Sequence, residues 1–261
     1  LIDTQVILQD REDLDSPAFQ GTKINTTFNN STSALQLSNP ATNATGEYAF
    51  KDILNLGAVF SLDLKRIIRS IGFNIGQDIE TLIPSGSFWD DYAALDNNFD
   101  GAAADEANCQ IQVATSQSAS GSFGAFNNFA NGTFKGHRFK FKLILETTNT
   151  AQNMNVQQAG YSAEFQSRTE QNYQTGGGTS TAPQQSGTSS SGKTVTFGSP
   201  FFVGTSSLGG ANAFLPSVGI TIQNAQSGDF FTITNLSGTG FTVSIKNGSS
   251  FVDRSFTFSA V

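Results

Sequence analysis

The stretch at 134–145, Phe-Lys-Gly-His-Arg-Phe-Lys-Phe-Lys-Leu-Ile-Leu, constrains the fold of this chain most. In an extended backbone Phe139, Phe141, Leu143 and Leu145 project to one side and Arg138, Lys140 and Lys142 to the other, because successive strand side chains alternate. One apolar face and one cationic face describe a half-buried strand of an antiparallel sheet packed on one side. With Lys135, four of the 14 Lys and Arg residues fall on this segment.

Composition extends that reading to the whole chain. Of 261 residues, 26 are Gly and 24 are Phe, and only 13% are charged. Phe, Val, Ile and Thr suit pleated surfaces, and Gly, Asn and Ser suit turns, so the chain reads as all-β. A net charge of -7 argues against a nucleic-acid partner, which needs a basic footprint. The single cysteine, Cys109, excludes an internal disulfide and a cysteine-based zinc cluster. No apolar run approaches the roughly 20 residues of a membrane-spanning helix, so no membrane insertion is expected. Without an initiating Met or a signal peptide, the chain reads as a piece of a longer protein.

In chain order, residues 1–22 are acidic, with Asp3, Asp10, Glu12, Asp13 and Asp15 around one short apolar strand. They read as a solvated connection from an upstream domain. From Lys23, strand signals become regular: Ile24, Thr26 and Phe28 alternate, Leu35 and Leu37 follow, and residues 39–46 form a loop. At 59–73 the spacing of Leu64, Ile67, Ile68 and Ile71 admits a helix. The alternation of Phe60, Leu62 and Leu64, then Ile67, Arg69, Ile71 and Phe73, favours two strands or one long bent strand. Residues 23–167 form a first β-sandwich. Residues 168–192 are rich in Gly, Ser, Thr and Gln and read as a linker, too apolar-poor to offset the entropy of ordering. Residues 193–261 form a second sandwich. Val218, Ile220 and Ile222 line one of its faces and Phe241, Val243 and Ile245 another, with turns at Ser227-Gly228, at 237–240 and at Asn247-Gly248. The spacing suggests an up-and-down arrangement.

An inventory of reactive groups argues against catalysis. His137 is the one histidine, so any nucleophile–histidine pair must use it, and it reads as a surface or turn residue beside Arg138. Cys109 reads as a small core residue. Two local patterns are candidate sites. Asp96, Asn98, Asp100 and Gly101 match the opening positions of a calcium loop, with Glu106 one residue before the place of the closing carboxylate. A turn built on Asn and Asp side-chain hydrogen bonds explains the same residues. Trp89, Asp90, Asp91 and Tyr92 pair aromatics with carboxylates, as a sugar platform does, and read equally as a core-edge aromatic with solvated acids.

The segment Asn55-Leu56-Gly57-Ala58-Val59 resembles the Asp-Leu-Gly-then-strand signature of discoidin, or galactose-binding-like, jelly-roll sandwiches, with Asn55 where that family usually has Asp. The strands at 109–116 and 134–145 resemble two of its later strands, and the Gly/Asn/Phe-rich segment at 121–132 fits between them. The same order, over roughly residues 45–165, is similar to modules near the C-terminus of bacteriophage tail-tip and tail-fibre proteins, whose last places the segments at 149–156 and 159–165 fill. Residues 193–261 resemble the H-type lectin fold found at the ends of phage tail proteins. Phe256 and Phe258 stand where that family often has Trp.

These resemblances imply two antiparallel sandwich modules, galactose-binding-like then H-type lectin-like, in a non-enzymatic component of the virion tail. Its partners would be a host cell-surface glycan or protein, other tail proteins, and two further copies in a homotrimer. Calcium is the one cofactor the sequence suggests. Alternative readings are a structural tail or baseplate spacer and a pair of carbohydrate-binding modules of a secreted protein.

Overall fold

A computed structural model describes residues 6–75, 106–171, 192–205, 208 and 210–261. Among them the chain is all-β. Its one helical element is the single 3₁₀ turn Glu12–Leu14. The strands are β1 (Val6–Arg11), β2 (Thr22–Ile24), β3 (Thr26–Asn29), β4 (Ala34–Leu37), β5 (Thr45–Ala49), β6 (Leu54–Asn74), β7 (Ala107–Ser116), β8 (Asn127–Asn128), β9 (Gly132–Thr147) and β10 (Gln152–Phe165). They continue as β11 (Glu170–Gln171), β12 (Lys193–Thr196), β13 (Val218–Ile222), β14 (Asp229–Ser237), β15 (Gly240–Asn247), β16 (Ser250–Phe251) and β17 (Phe256–Ala260). Contacts divide them into two compact units. One comprises Ile7–Asn55 and the described residues of Ser61–Ala163; the other includes Leu56–Phe60 and the described residues of Glu164–Val261.

In the first unit, β9 is the central strand. It pairs antiparallel with β7 over its whole second half, from Arg138↔Ser116 to Thr147↔Ala107, and with β5 on its other edge from Lys142↔Ala49 to Glu146↔Thr45. The alternation fixes which face is dry. Phe139, Phe141, Leu143 and Leu145 are buried, with Ile111 and Val113 of β7 and Tyr48 of β5 registered beside them. Phe141 stacks on Tyr161 of β10, ring centroids 4.3 Å apart, and tilts against Phe50 and Phe129. Burying a ring of this size contributes about 2–3 kcal/mol. The stretch at 59–73 is strand: β6 runs unbroken for 21 residues. Asn153 extends the β10–β4 pairing with its side chain, whose amide accepts from Leu37 N–H and donates to Leu37 C=O.

The acidic opening departs from its reading as a solvated connection. Strand β1 pairs with β10, and Glu12 is 2% exposed. The Glu12 carboxylate accepts the Tyr48 hydroxyl and the Lys51 N–H, its carbonyl accepts Phe19 N–H, and Asp13 accepts Ala159 N–H. Charge density along the sequence suggested solvent. Neutral donors contributed from β5, β10 and the following turn, with the Arg11 guanidinium paired to Asp13, draw the segment in instead.

The second unit has two sheets, β11–β17–β13 and β12–β15–β14, with β16 added beside β15. Val195, Phe197, Phe241, Val243 and Ile245 from one sheet meet Phe256, Phe258 and Ala260 from the other. This is a β-sandwich, but not an up-and-down one. Strand β13 pairs with β17 (Val218↔Ala260, Ile220↔Phe258, Ile222↔Phe256) rather than with its chain neighbour β14. The matched register combines two alternating apolar faces into one wall of the core. The predicted turns are present, with Gly228 and Gly248 at φ of +90° and +58°, where a side chain would be strained. Part of the expected linker is also ordered. Strand β11 pairs with β17, and Arg168 donates to Glu170 and to Ser199 C=O while its guanidinium lies 4.0 Å from the Phe201 ring centroid.

Candidate functional site

The final hairpins of the second unit carry the most exposed aromatic surface among the described residues. Strands β14, β15 and β16 pair in sequence order, because the turn at Asn247–Ser250 is a two-residue hairpin with Gly248 in the left-handed region. That register sets Phe230 opposite Lys246, and Lys246 opposite Phe251. Cross-strand partners share a face, so the three side chains form a row running across the sheet. Phe230 is 46% and Phe251 42% exposed. The Lys246 ammonium lies 4.5 Å from the Phe251 ring centroid, which orients that ring.

Phe231, next along β14, faces the sandwich interior opposite buried Ile245, yet remains 40% exposed. The reason is topological: β14 and β13 are edge strands of their sheets. An open groove of about 470 Å³ lies there, lined by Ile220, Ile222, Ala225, Asp229, Phe230 and Phe231.

A polar node anchors the groove. The Asp229 side chain is fully covered and accepts from Arg254 Nε, Gln226 N–H and Asn247 Nδ2, each at 2.8 Å. Asn247 also donates to Ser227 C=O. The Arg254 guanidinium, with those two amides, holds the Asp229 carboxyl down at about 2. Asp229 is therefore ionised, saturated with donors and unavailable for proton transfer. The node fixes the start of β14 so that Phe230 and Phe231 hold their places. Chemically, the outer face of these hairpins offers ring faces for C–H groups and an ammonium donor for hydroxyls.

Trp89, Asp90, Asp91 and Tyr92, and Asp96, Asn98 and Asp100, lie outside the described residues. Glu106 is described: it is exposed, and its carboxylate accepts Asn149 Nδ2 at 2.6 Å while its carbonyl accepts Thr148 N–H. Among the described residues no group of three or more His, Cys, Asp or Glu could hold a metal ion. His137 departs from the surface reading. It sits on the face of β9 shared with Phe139, is 9% exposed, and its Nδ1 has no hydrogen-bond partner. Cys109 is half-buried opposite Leu145, and burial pushes its thiol up to about 12. The Phe230–Lys246–Phe251 row had one legible signal, the Asn-Gly turn that sets Lys246 against Phe251. The Phe230 register depends on an irregularity between Thr234 and Ser237 that the sequence does not announce.

No family model, no curated protein and no solved structure matches this chain.

Proposed function

We propose that this chain is a non-enzymatic adhesive component of a bacteriophage tail tip or fibre, and that it attaches to a host-surface glycan through the outer face of its last hairpins. The observation that carries the glycan reading is the registered row Phe230–Lys246–Phe251, two exposed rings spaced by a cation. Exposed ring faces pack on the C–H faces of pyranoses, and an ammonium donates to ring hydroxyls. The tail reading rests on the resemblance of residues 45–165 to a galactose-binding-like jelly roll and of residues 193–261 to an H-type lectin-like sandwich. The virion is then its location, and other tail proteins are its structural partners.

A homotrimer belongs to the same reading. Strand β13, Val-Gly-Ile-Thr-Ile, is an uncharged edge, and solvent-exposed edges ordinarily carry charge or proline to prevent pairing. A second copy that covers this edge would bury its apolar side chains.

The test is a glycan array probed with the wild-type chain and with the double variant Phe230→Ala, Phe251→Ala. Specific glycan signals that vanish in a double variant with unchanged melting temperature support the site. Signals retained by that variant would sink it. Light scattering of the same samples reports the oligomer, with a trimer expected and a stable monomer counting against the fibre reading.

A further inference from the structure

The polar face of β9 carries a second constellation, in the first unit. Arg138, Lys140 and Lys142 point to one side of this strand, and the connection between β7 and β8 folds over them. It places Phe123 with its ring centroid 4.8 Å from the Arg138 guanidinium and 4.4 Å from the Lys140 ammonium, and Phe126 4.8 Å from the Lys142 ammonium. Arg138 also donates through Nε to Ser118 C=O at 3.0 Å, and through Nη2 to Gly121 C=O and to Ser116 Oγ. All three acceptors are neutral. They orient the guanidinium without cancelling its charge.

Charge is therefore concentrated here against the trend of an acidic chain. Lys142 pairs with Glu47 at 3.1 Å, but among the described residues neither Arg138 nor Lys140 forms an ion pair. Sharing one ring, these two cations lie no more than about 9 Å apart, a distance over which like charges repel and an anion that reaches both is attracted. The strand register adds neutral donors and acceptors on the same face: Gln112 opposite Lys142, and Asn128 opposite Gln112. Phe126 leaves 37% of its surface open at that end.

We propose that this face is a second binding site, taking an anionic polysaccharide whose carboxylate or sulfate groups sit at Arg138 and Lys140. Its sugar rings stack on Phe126, and its hydroxyls meet Gln112 and Asn128. That the ligand is a glycan rests on the adhesive reading above; that it is an anion rests on the uncompensated cation pair alone.

Lys140→Gln is the informative variant. It removes the charge, keeps a flexible polar stem, and breaks no hydrogen bond among the described residues. The probes are a polygalacturonate oligosaccharide, a neutral galacto-oligosaccharide and a poly-glutamate of similar charge, titrated calorimetrically at about 50 mM and about 200 mM salt. Wild type should bind the polyuronate, more weakly at the higher salt. Lys140→Gln should bind it roughly tenfold more weakly, the scale of one charge-assisted hydrogen bond, at an unchanged melting temperature. Phe230→Ala, Phe251→Ala should bind it as wild type does. Polyuronate binding that survives in a chain recognising no neutral glycan would support this site while removing the one on the last hairpins. Absence of polyuronate binding at low salt, equal binding by Lys140→Gln, or equal binding of poly-glutamate would overturn the proposal.

Discussion

Replacing Glu12 by Gln should make the first unit more stable at pH 8 and leave it nearly unchanged at pH 4. Glu12 is 2% exposed, and its carboxylate has neutral hydrogen-bond partners, the Tyr48 hydroxyl and the Lys51 N–H. Tyr48 is itself completely buried and accepts Gly21 N–H at 2.8 Å. The Lys23 ammonium donates to Phe19 C=O and sits 5.5 Å from the Tyr48 ring centroid. Burial, opposed by the two hydrogen bonds and reinforced by the charges of Asp10 and Asp15, raises the Glu12 carboxyl from 4.5 to about 7.

A raised carboxyl means that the folded state binds the proton more tightly than the unfolded chain does. The resulting stabilisation is complete below pH 4.5, declines as pH rises toward 7, and is gone above that. At about 1.4 kcal/mol per decade the span amounts to about 3 kcal/mol. Gln is the neutral isostere of the protonated acid, and its Oε1 can accept the Lys51 N–H as the acid does. Glu12→Gln should therefore gain about 3 kcal/mol over wild type at pH 8, a rise of roughly 6–12 °C in melting temperature for a unit of this size. Thermal and urea denaturation followed by circular dichroism from pH 4 to 8 measures it. Asp10, whose carboxyl is also raised by burial and by Asp52 and Asp15, leaves a residual slope of the same sign in the variant. Parallel pH profiles for wild type and variant would refute the reasoning, and so would a variant less stable than wild type at pH 8.

Three other outcomes follow from the packing. Phe141→Ala should cost about 3–5 kcal/mol, and a double-mutant cycle of Phe141→Leu with Tyr161→Leu should give about 0.5–1.5 kcal/mol of coupling from the stacked pair; additive losses would deny the stacking. In the second unit, carbon-detected NMR should titrate Asp229 near 2, and Arg254→Gln should move that midpoint toward the ordinary 3.8. The stability Asp229 contributes is present above pH 3.8 and is lost as pH falls toward 2. Gly160→Ala places a Cβ 2.2 Å from the Asp10 carbonyl, so it should destabilise by about 2 kcal/mol or more and speed hydrogen exchange of β1 amides selectively; full protection of β1 would contradict its pairing with β10.

Alternation along the sequence was enough to assign strand, face and turn. Phe139, Phe141, Leu143 and Leu145 are dry because their spacing is two, and the chain turns at Gly228 and Gly248 because glycine tolerates the left-handed region. Those properties reside in a few neighbouring residues and survive without knowledge of the rest. Which strands meet is a different matter. That β13 would leave β14 for β17, that Asp13 would hold β10, and that Phe123 and Phe126 would cover the cations of β9 each join residues distant in sequence. Several registers would satisfy the same local pattern, and only the simultaneous burial of both partners selects among them. The same reason separates the two candidate sites. The cationic face was legible in spacing alone; its aromatic cover, the Phe230–Lys246–Phe251 row and the buried Glu12 were decided by tertiary pairing, because exposure and charge compensation are properties of what packs alongside.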